Sequence, residues 1–510
     1  MTAPSEPRVF IVGAGPGNPG LLTLRAAEVL ARADLVLYDQ LVPRRLLDFA
    51  NPAAETICVR ELPGNHPDKY PHIHNLLIER GCAGKTVVRL KGGDPLIFGR
   101  GGEEAEALRK AGVPYEIVPG VTAALAAGAF LEVPLTHRHF SSAVAFVTGH
   151  ELPNKPGNTL DWKALAAFPG TLCIYMGVAK LPIILSELLK HGKSGDTPAC
   201  IVERASTGDQ RTIYSRLEDL ETARRQAGLE APGLIVVGEA VRQRPAHSWW
   251  ESRPLFGQRV LVTRPAHQAG GMVRRLEELG AVVYRLPAVE IREPSDPAPL
   301  DAAIAKLPGG WDWIVFTSAN GVQAFVRRIE SLGGDLRRLG SVKLAAIGPK
   351  TAAALRDFHL TADIVPDTYN SEGLADALKT QTSRQRVLLA RANRGRDVLR
   401  QELSPIADVA QIVVYDQVDS VEPDAEVLDH LRRGEVRFVT LTSSKIAENL
   451  LKSFDETIRG RVERGEIQLV AISPETGRAV RTLGFPVAAE AAAYTADGLI
   501  DAIVKLAATR

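Results

Sequence analysis

Two glycine-rich runs near the start of the chain carry the residue types from which a binding site can be made. The first, Gly13-Ala14-Gly15-Pro16-Gly17-Asn18-Pro19-Gly20, lies between an apolar strand-like run and a helical pattern. That placement suits a dinucleotide-binding turn, but the fingerprint needs glycine three places after its second one. Asn18 stands there, and Pro16 and Pro19 impose a different backbone path. NAD is therefore not the expected ligand. Two readings remain, a turn that lets a ligand approach the backbone closely and a tight turn with no ligand. The second run, Arg89-Leu90-Lys91-Gly92-Gly93-Asp94-Pro95-Leu96-Ile97-Phe98-Gly99-Arg100-Gly101-Gly102-Glu103-Glu104, interleaves five glycines with charges of both signs. Asp94 can hold a hydroxyl or amine, while Lys91 and Arg100 can pair with carboxylates. Gly101-Gly102 before Glu103-Glu104 also reads as a helix start with acids in its first turn, a structural role. No metal is expected at His66, His72, His74, His137 and His139. His72 and His74 are two residues apart and so are not facing neighbours on a helix.

The elements that must position these loops read as α/β. Val/Ile/Leu-rich runs at Arg8–Val12, Asp34–Tyr38, Thr56–Val59, Thr86–Leu90 and Tyr115–Val118 alternate with helical patterns, as buried parallel strands joined by crossover helices do. Leu21, Leu22, Leu24, Val29 and Leu30 fit one helix face. A second series at Ala143–Thr148, Thr171–Tyr175, Pro198–Val202 and Leu234–Val237 suggests two layered units with a boundary near Gly120. Periodicity stops between Val241 and Gln258, in a stretch holding Pro245, Trp249, Trp250 and Pro254, which reads as an interdomain linker over 246–256. The alternative is a surface loop whose tryptophans anchor it to a neighbouring face.

Beyond the linker the chain repeats itself. Thr317-Ser318 after Trp313–Phe316 returns as Thr442-Ser443 after Val436–Leu441, a displacement of 125 residues. Ile347-Gly348-Pro349-Lys350-Thr351 returns as Ile472-Ser473-Pro474-Glu475-Thr476, and Tyr369 with Gly373-Leu374 as Tyr494 with Gly498-Leu499, at the same displacement. Arg259-Val260-Leu261 through Arg264 resembles Arg386-Val387-Leu388 through Arg391. Two similar α/β lobes are implied, with a cleft lined by strand-end loops.

Composition narrows the function. The chain has 510 residues, enough for several domains, and a hydrophobic content of 45%, too high for bulk disorder. Sixty-one basic against 60 acidic residues leave a net charge of +1. No global field would gather nucleic acid or an anionic membrane, so an anionic substrate must be met locally. Four scattered cysteines without metal-ligand spacing suit a reducing cytoplasm. No apolar run reaches the ~18 residues of a membrane span, and no signal-peptide pattern opens the chain.

Taken together, the motifs resemble two families. Residues 8–245 resemble the uroporphyrinogen-III C-methyltransferases of the tetrapyrrole methylase family. The carriers are the Gly13–Gly20 loop, Leu37-Tyr38-Asp39, the Lys91–Glu104 run, Val118-Pro119-Gly120-Val121-Thr122-Ala123, Pro134-Leu135-Thr136-His137-Arg138, Thr148-Gly149-His150 and Tyr175-Met176-Gly177. The resemblance implies two α/β subdomains clasping S-adenosylmethionine, in a homodimer. It places the cofactor against Pro16, Gly92, Gly93, Asp94, Ile97, Thr122, Ala123 and Met176, with Ala205 where the family's cofactor loop has a glycine. Asp39 corresponds to the family's proton acceptor, and Lys91, Arg100, His137 and Arg138 are expected at the tetrapyrrole.

Residues 257–510 resemble the uroporphyrinogen-III synthases through Arg259–Arg264, Val315-Phe316-Thr317-Ser318-Ala319-Asn320-Gly321-Val322, Ala346-Ile347-Gly348, Arg394-Gly395-Arg396 and Val414-Tyr415. The implied reaction closes hydroxymethylbilane, loses its hydroxyl and inverts the last ring, so the cleft must hold a flexible polycarboxylate in one geometry. Tyr415 matches the family's tyrosine as proton donor, or else is a packed strand residue. Arg264, Thr317, Ser318, Thr442 and Ser443 sit where carboxylate contacts are expected. The chain would cross between lobes near Pro287 and again near Gln411–Tyr415. The partners implied are small tetrapyrroles, not nucleic acid or membrane. Two other readings stay open: a methylase acting on another precorrin or on RNA, and a non-catalytic ligand-binding C-terminal half.

One departure bears on the chemistry. The methylase family carries a lysine just before a Gly-x-His, and Glu61 takes its place in Val59-Arg60-Glu61-Leu62-Pro63-Gly64-Asn65-His66. Either Arg60 or Lys69 covers the lost cation, or the electron-rich pyrrole makes it dispensable. Methyl transfer by Glu61→Lys compared with the parent checks this. Comparable turnover is expected, and an inert parent beside an active variant overturns both explanations.

Overall fold

The computed structural model describes residues 6–64, 69–150, 160–286, 289–382, 384–419 and 424–509. His66 and Pro287 lie outside them. The chain forms two compact units: residues 1–260 with 273–283 and 504–510, and residues 261–272 with 284–503. The first unit's main segment runs through 246–256 and ends at Val260. No helix among the described residues is long and apolar enough to cross a membrane.

The first sheet has the spatial order Glu55–Cys58, Leu35–Tyr38, Val87–Lys91, Val9–Gly13, Tyr115–Val118, every neighbour parallel. Its three central strands are buried at every residue, because helices cover both faces and a strand with no wet side is apolar throughout. Thr23 caps the helix Leu24–Leu30 by accepting from Ala26 N at 3.2 Å. The expected helix face is therefore shorter than Leu21–Leu30. Leu21 belongs to a separate 3-10 turn opened by Pro19, and Leu24 is 85% exposed.

The helix Ala123–Leu131 follows the first sheet, and its Ala124, Ala127 and Leu131 pack against Cys173, Cys200 and Val236 of the second. Small side chains let it approach closely, so its N-terminus lies between the two sheets. The second sheet runs Val144–Thr148, Thr171–Tyr175, Gly233–Val237, Pro198–Glu203, Arg211–Arg216. Here the parallel expectation fails: only the first pair is parallel and the other three are antiparallel. Arg211–Arg216 is an edge strand that apolar runs did not reveal, since an edge needs only half of its side chains to be buried.

The duplication is real at the level of register. Two further sheets run Val282–Arg285, Arg259–Val262, Phe438–Leu441, Gln468–Ala471, Ala489–Glu490 and Val289–Arg292, Asp408–Asp419, Arg386–Ala392, Trp313–Phe316, Lys343–Ala346. Ile314 faces Leu344 as Val439 faces Leu469, and Ala345 bridges Ile364 as Val470 pairs with Ala489. The second crossing is not at Gln411–Tyr415, which lies inside the strand Asp408–Asp419. The 12-residue strand carries its polar ends because it pairs on both sides, with Arg386–Ala392 and Val289–Arg292.

The supposed linker is anchored by its tryptophans. Trp250 is 5% exposed, its ring 5.1 Å from Phe130, and its Nε1 donates to Thr207 O at 2.9 Å. Trp249 Nε1 donates to Ala129 O at 3.0 Å. Segment 246–256 thus packs on the first unit as a strap. Trp250→Ala is expected to cost about 3–5 kcal/mol, measured as a shift of the denaturant midpoint; a loss below about 1 kcal/mol would show that the strap is loose in solution.

Candidate functional sites

Parallel pairing of Val9–Gly13 with Val87–Lys91 makes both glycine-rich loops leave from one end of the sheet. Ala14 N donates to Lys91 O at 2.7 Å, and Gly15 and Gly93 exchange backbone bonds of 3.1 and 2.8 Å. Gly15 and Gly93 take φ of +74° and +66°, a region that suits glycine. A Cβ on Gly13 would lie 2.5 Å from Gly120 N, and one on Gly120 only 2.3 Å from Gly93 O. At Gly92 it would meet nothing within 4 Å. Backbone there is bare and open, which fits a ligand that needs close approach. Gly99 and Gly101 serve packing instead, since a Cβ on either would strike Pro95 O.

Five segments carry the expected cofactor contacts. Asp94 Oδ1 accepts from Leu96 N at 2.9 Å and Oδ2 from Gly120 N at 3.0 Å, so this carboxylate ties the loop holding half-buried Ile97 to Gly120. Asp94 is thereby engaged by backbone before any ligand arrives. Thr122 Oγ1 meets the Tyr175 hydroxyl at 2.8 Å, and Ala124 N donates to that oxygen at 3.0 Å. Tyr175 thus joins the second sheet to the turn carrying Thr122 and Ala123. Burial pushes its phenol pKa up, and Phe98 lies 5.0 Å from its ring. Met176 follows it at φ +54°, half exposed. Tyr175 was absent from the expected contacts although it opens the Tyr175-Met176-Gly177 motif. On the opposite side, Asn18 Nδ2 donates to Ser206 O at 3.1 Å, bringing the Pro16 loop to that of Ala205.

The charges of the second run behave differently from expectation. Lys91 is 2% exposed and its Nζ donates to Glu104 Oε1 at 2.8 Å, the atom that also accepts from Arg89 Nε at 3.0 Å. Glu104 is fully buried, and Arg89 also bonds Asp39 Oδ1. Lys91 is therefore a structural cation and not a surface contact for substrate. Burial and the neighbouring Arg89 hold its pKa below the usual lysine range. Arg100 is likewise committed, donating to Glu103 at 2.9 and 2.6 Å and lying over the Tyr70 ring. Asp39 keeps about a third of its side chain exposed at 32%, with Oδ2 left over. Lys69 Nζ donates to Val59 O at 3.3 Å and Arg60 O at 2.6 Å, which sets an ammonium beside the turn of Glu61. His137 is half-buried against Phe140 at 4.7 Å, with Arg138 exposed. No metal-holding cluster occurs among the described residues.

In the C-terminal repeat, Thr317 and Ser318 line an open pocket of about 250 Å³ with Ser371, Arg391, Arg394 and Tyr415. Tyr415 is 3% exposed, yet its hydroxyl meets Ser318 Oγ at 3.1 Å. Ser318 Oγ also caps its helix by accepting from Gly321 N at 3.0 Å, and Ser443 does the same for Ile446 N at 3.2 Å. Thr442 and Ser443 occupy the equivalent turn of the other lobe and do not line this pocket. Arg264 is half-buried, its Nη2 on Gln268 Oε1 at 3.2 Å.

A family model described as uroporphyrinogen-III synthase HemD matches residues 271–501, and one described as tetrapyrrole (corrin/porphyrin) methylases matches residues 8–221. The porphyrin biosynthesis protein HemD of Ruminiclostridium josui is 33% identical over 504 residues, 98% of each chain. The uroporphyrinogen-III C-methyltransferase of Bacillus subtilis is 38% identical over 362 residues, 71% of this chain and 74% of that one. Among solved structures, the uroporphyrin-III C-methyltransferase of Thermus thermophilus, complexed with S-adenyl homocysteine, is 43% identical; the match covers 46% of this chain and 99% of that one, with a TM-score of 0.40.

The buried ion cluster yields a stability test. Glu104→Gln leaves two buried cations with Asp39 as their remaining acid, and a loss of about 3–5 kcal/mol is expected in urea unfolding. A variant as stable as the parent would show that these charges are solvated in the folded protein.

Proposed function

We propose, from the premise that this chain belongs to the proteins that join a tetrapyrrole methylase to a uroporphyrinogen-III synthase, that it performs two consecutive reactions. The C-terminal half closes hydroxymethylbilane to uroporphyrinogen III, and the N-terminal half methylates two ring carbons of that product to give precorrin-2. The destination is sirohaem or cobalamin. The observation that carries the reading is the pairing, in one chain, of a backbone-lined loop cluster at Gly92 and Gly93 with a buried tyrosine whose hydroxyl reaches a Ser-capped pocket.

S-adenosylmethionine, when bound, supplies an electrophilic methyl group. Open space above Gly92 and the bare backbone from Gly92 to Asp94 fit its close approach. Pro16, Gly92, Gly93, Asp94, Ile97, Thr122, Ala123, Met176 and Ala205 are the residues that would hold it. The ring carbon that gains the methyl is fully substituted and has no proton to give. Asp39 takes the proton that the macrocycle loses from another position once a pyrrole carbon has attacked the sulfonium methyl. Its Oδ1 is held by Arg89, so Oδ2 is the atom available to accept. His137 and Arg138 are assigned to the tetrapyrrole, whereas Lys91 and Arg100 act from within the framework.

In the synthase half the Tyr415 phenol donates a proton to the departing hydroxyl, and Ser318 Oγ orients that phenol. The helix-capping turns at Thr317-Ser318 and Thr442-Ser443 supply backbone N–H groups, and Arg264 a cation, for the substrate's carboxylates. A homodimer formed through the methyltransferase half and a cytoplasmic setting complete the reading, the dimer on family resemblance and the compartment on four free thiols.

The purified chain incubated with hydroxymethylbilane, with and without S-adenosylmethionine, tests both halves. The asymmetric isomer is expected without the cofactor and a dimethylated product with it. Formation of only the symmetric isomer would overturn the synthase half, and unmethylated uroporphyrinogen III with the cofactor present would overturn the methyltransferase half.

A further inference from the structure

Two strands of the C-terminal half lose step with each other beside the tyrosine pocket. Arg386–Ala392 and Asp408–Asp419 run parallel and pair residue by residue, from Arg386 with Asp408 to Arg391 with Val413, but Ala392 then faces Tyr415. Val414 is skipped, so two steps along one strand match one step along the other. Such a bulge is rare between parallel strands, and its effect is to re-aim the side chains that follow it.

The core records that re-aiming. Leu388, Ala390 and Ala392 pack on one face of the sheet with Ile412 and Val414, whereas Val387 and Leu389 pack on the other. Strict alternation from Ile412 would send Tyr415 to the face of Val387 and Leu389. The bulge instead lets Val414 and Tyr415, neighbours in the chain, join the same core as Val322 and Phe325. Those two belong to the helix Ala319–Ser331, which Ser318 caps. The phenol therefore meets Ser318 because the register has slipped.

A bulge interrupts the ladder, and Asn393 bridges the gap. Its backbone N donates to Tyr415 O at 3.2 Å. Its side-chain amide then takes over from the main chain: Oδ1 accepts from Gln417 N at 2.9 Å, and Nδ2 donates to Gln417 O at 3.4 Å. An amide carries the donor and acceptor of a peptide group, so Asn393 extends the ladder past the bulge as a further strand residue would. Gln417, held in this way, lines the pocket together with Tyr415.

We infer that Asn393 is a positioning residue for ring closure: its amide pins Gln417 and so fixes the bulged register that turns the Tyr415 hydroxyl toward Ser318 and the pocket. This rests on the synthase reading above and deepens it. Asn393 is exposed and is not among the residues that line the pocket, so it acts through Tyr415 and not on the substrate.

The test follows closure of hydroxymethylbilane by the full chain. Asn393→Ala removes both side-chain bonds. Asn393→Asp keeps an acceptor for Gln417 N but sets a second acceptor against Gln417 O. Because the position is exposed, both variants are expected to fold. Each should lower kcat about tenfold and leave KM within about twofold of the parent, since the Thr317-Ser318 turn is untouched. Tyr415→Phe should lower kcat further, and adding Asn393→Ala to it should cost nothing more, because no hydroxyl is left to aim. A general loosening of the lobe would slow both backgrounds alike. An unchanged kcat for Asn393→Ala, an equal loss in the Tyr415→Phe background, or an effect confined to KM would overturn the inference. A parent that forms only the symmetric isomer would instead overturn the synthase reading, so the two failures are distinguishable.

Discussion

The N-terminal unit depends on a convergence of three backbones with no room for a side chain. Gly13, Gly93 and Gly120 end or follow three strands of one parallel sheet, and a Cβ on Gly120 would overlap Gly93 O at 2.3 Å. Only glycine permits that contact. Once it forms, the loops after the first and fourth strands are locked by mutual backbone bonds, and Asp94 fastens them to the turn before the helix Ala123–Leu131. The result is a lining of main-chain groups at the carboxyl ends of the strands, where open α/β sheets bind their ligands.

Beside that lining the protein holds a cluster of four charges, of which Arg89, Lys91 and Glu104 are buried and Asp39 is partly exposed. Such burial is costly unless every charge is answered, and a hydrophobic replacement is often no less stable. The cluster gains its place by holding Asp39 Oδ1 while leaving the rest of that carboxylate partly exposed. Charge at the site is thus held largely in the framework, while in the loops Asp94 is engaged by backbone and Arg100 by Glu103. The net charge of only +1 agrees with this arrangement, since attraction of an anionic substrate must then be local.

The C-terminal half shows what duplication does to chemistry. Its two sheets agree in register at a displacement of 125 residues, and both reuse Ser as a helix cap after the second equivalent strand. Packing has kept the copies alike, because strand register and helix capping are conditions for folding. Charge has not been kept alike. Asp397 answers Arg391, whereas Arg264 meets the neutral Gln268, and the tyrosine pocket is lined by the turn of one lobe, at Thr317 and Ser318. A symmetric scaffold has acquired an asymmetric site.

Much of this was legible in the amino-acid sequence alone. Apolar runs located buried strands such as Val87–Lys91 and Thr171–Tyr175, because a strand covered on both faces has no choice of composition. The 125-residue repeat and the glycine loops were equally plain, since both are written in local residue order. Tertiary structure decided the rest. It turned Lys91 into a buried framework cation and paired the partly exposed Arg100 with Glu103, because whether a charge faces solvent depends on what lies across from it. It also made three pairings of the second sheet antiparallel, exposed Arg211–Arg216 as an edge strand, and carried one strand through Gln411–Tyr415. Partners distant in the chain settle each of these outcomes, and spacing along one strand does not encode them.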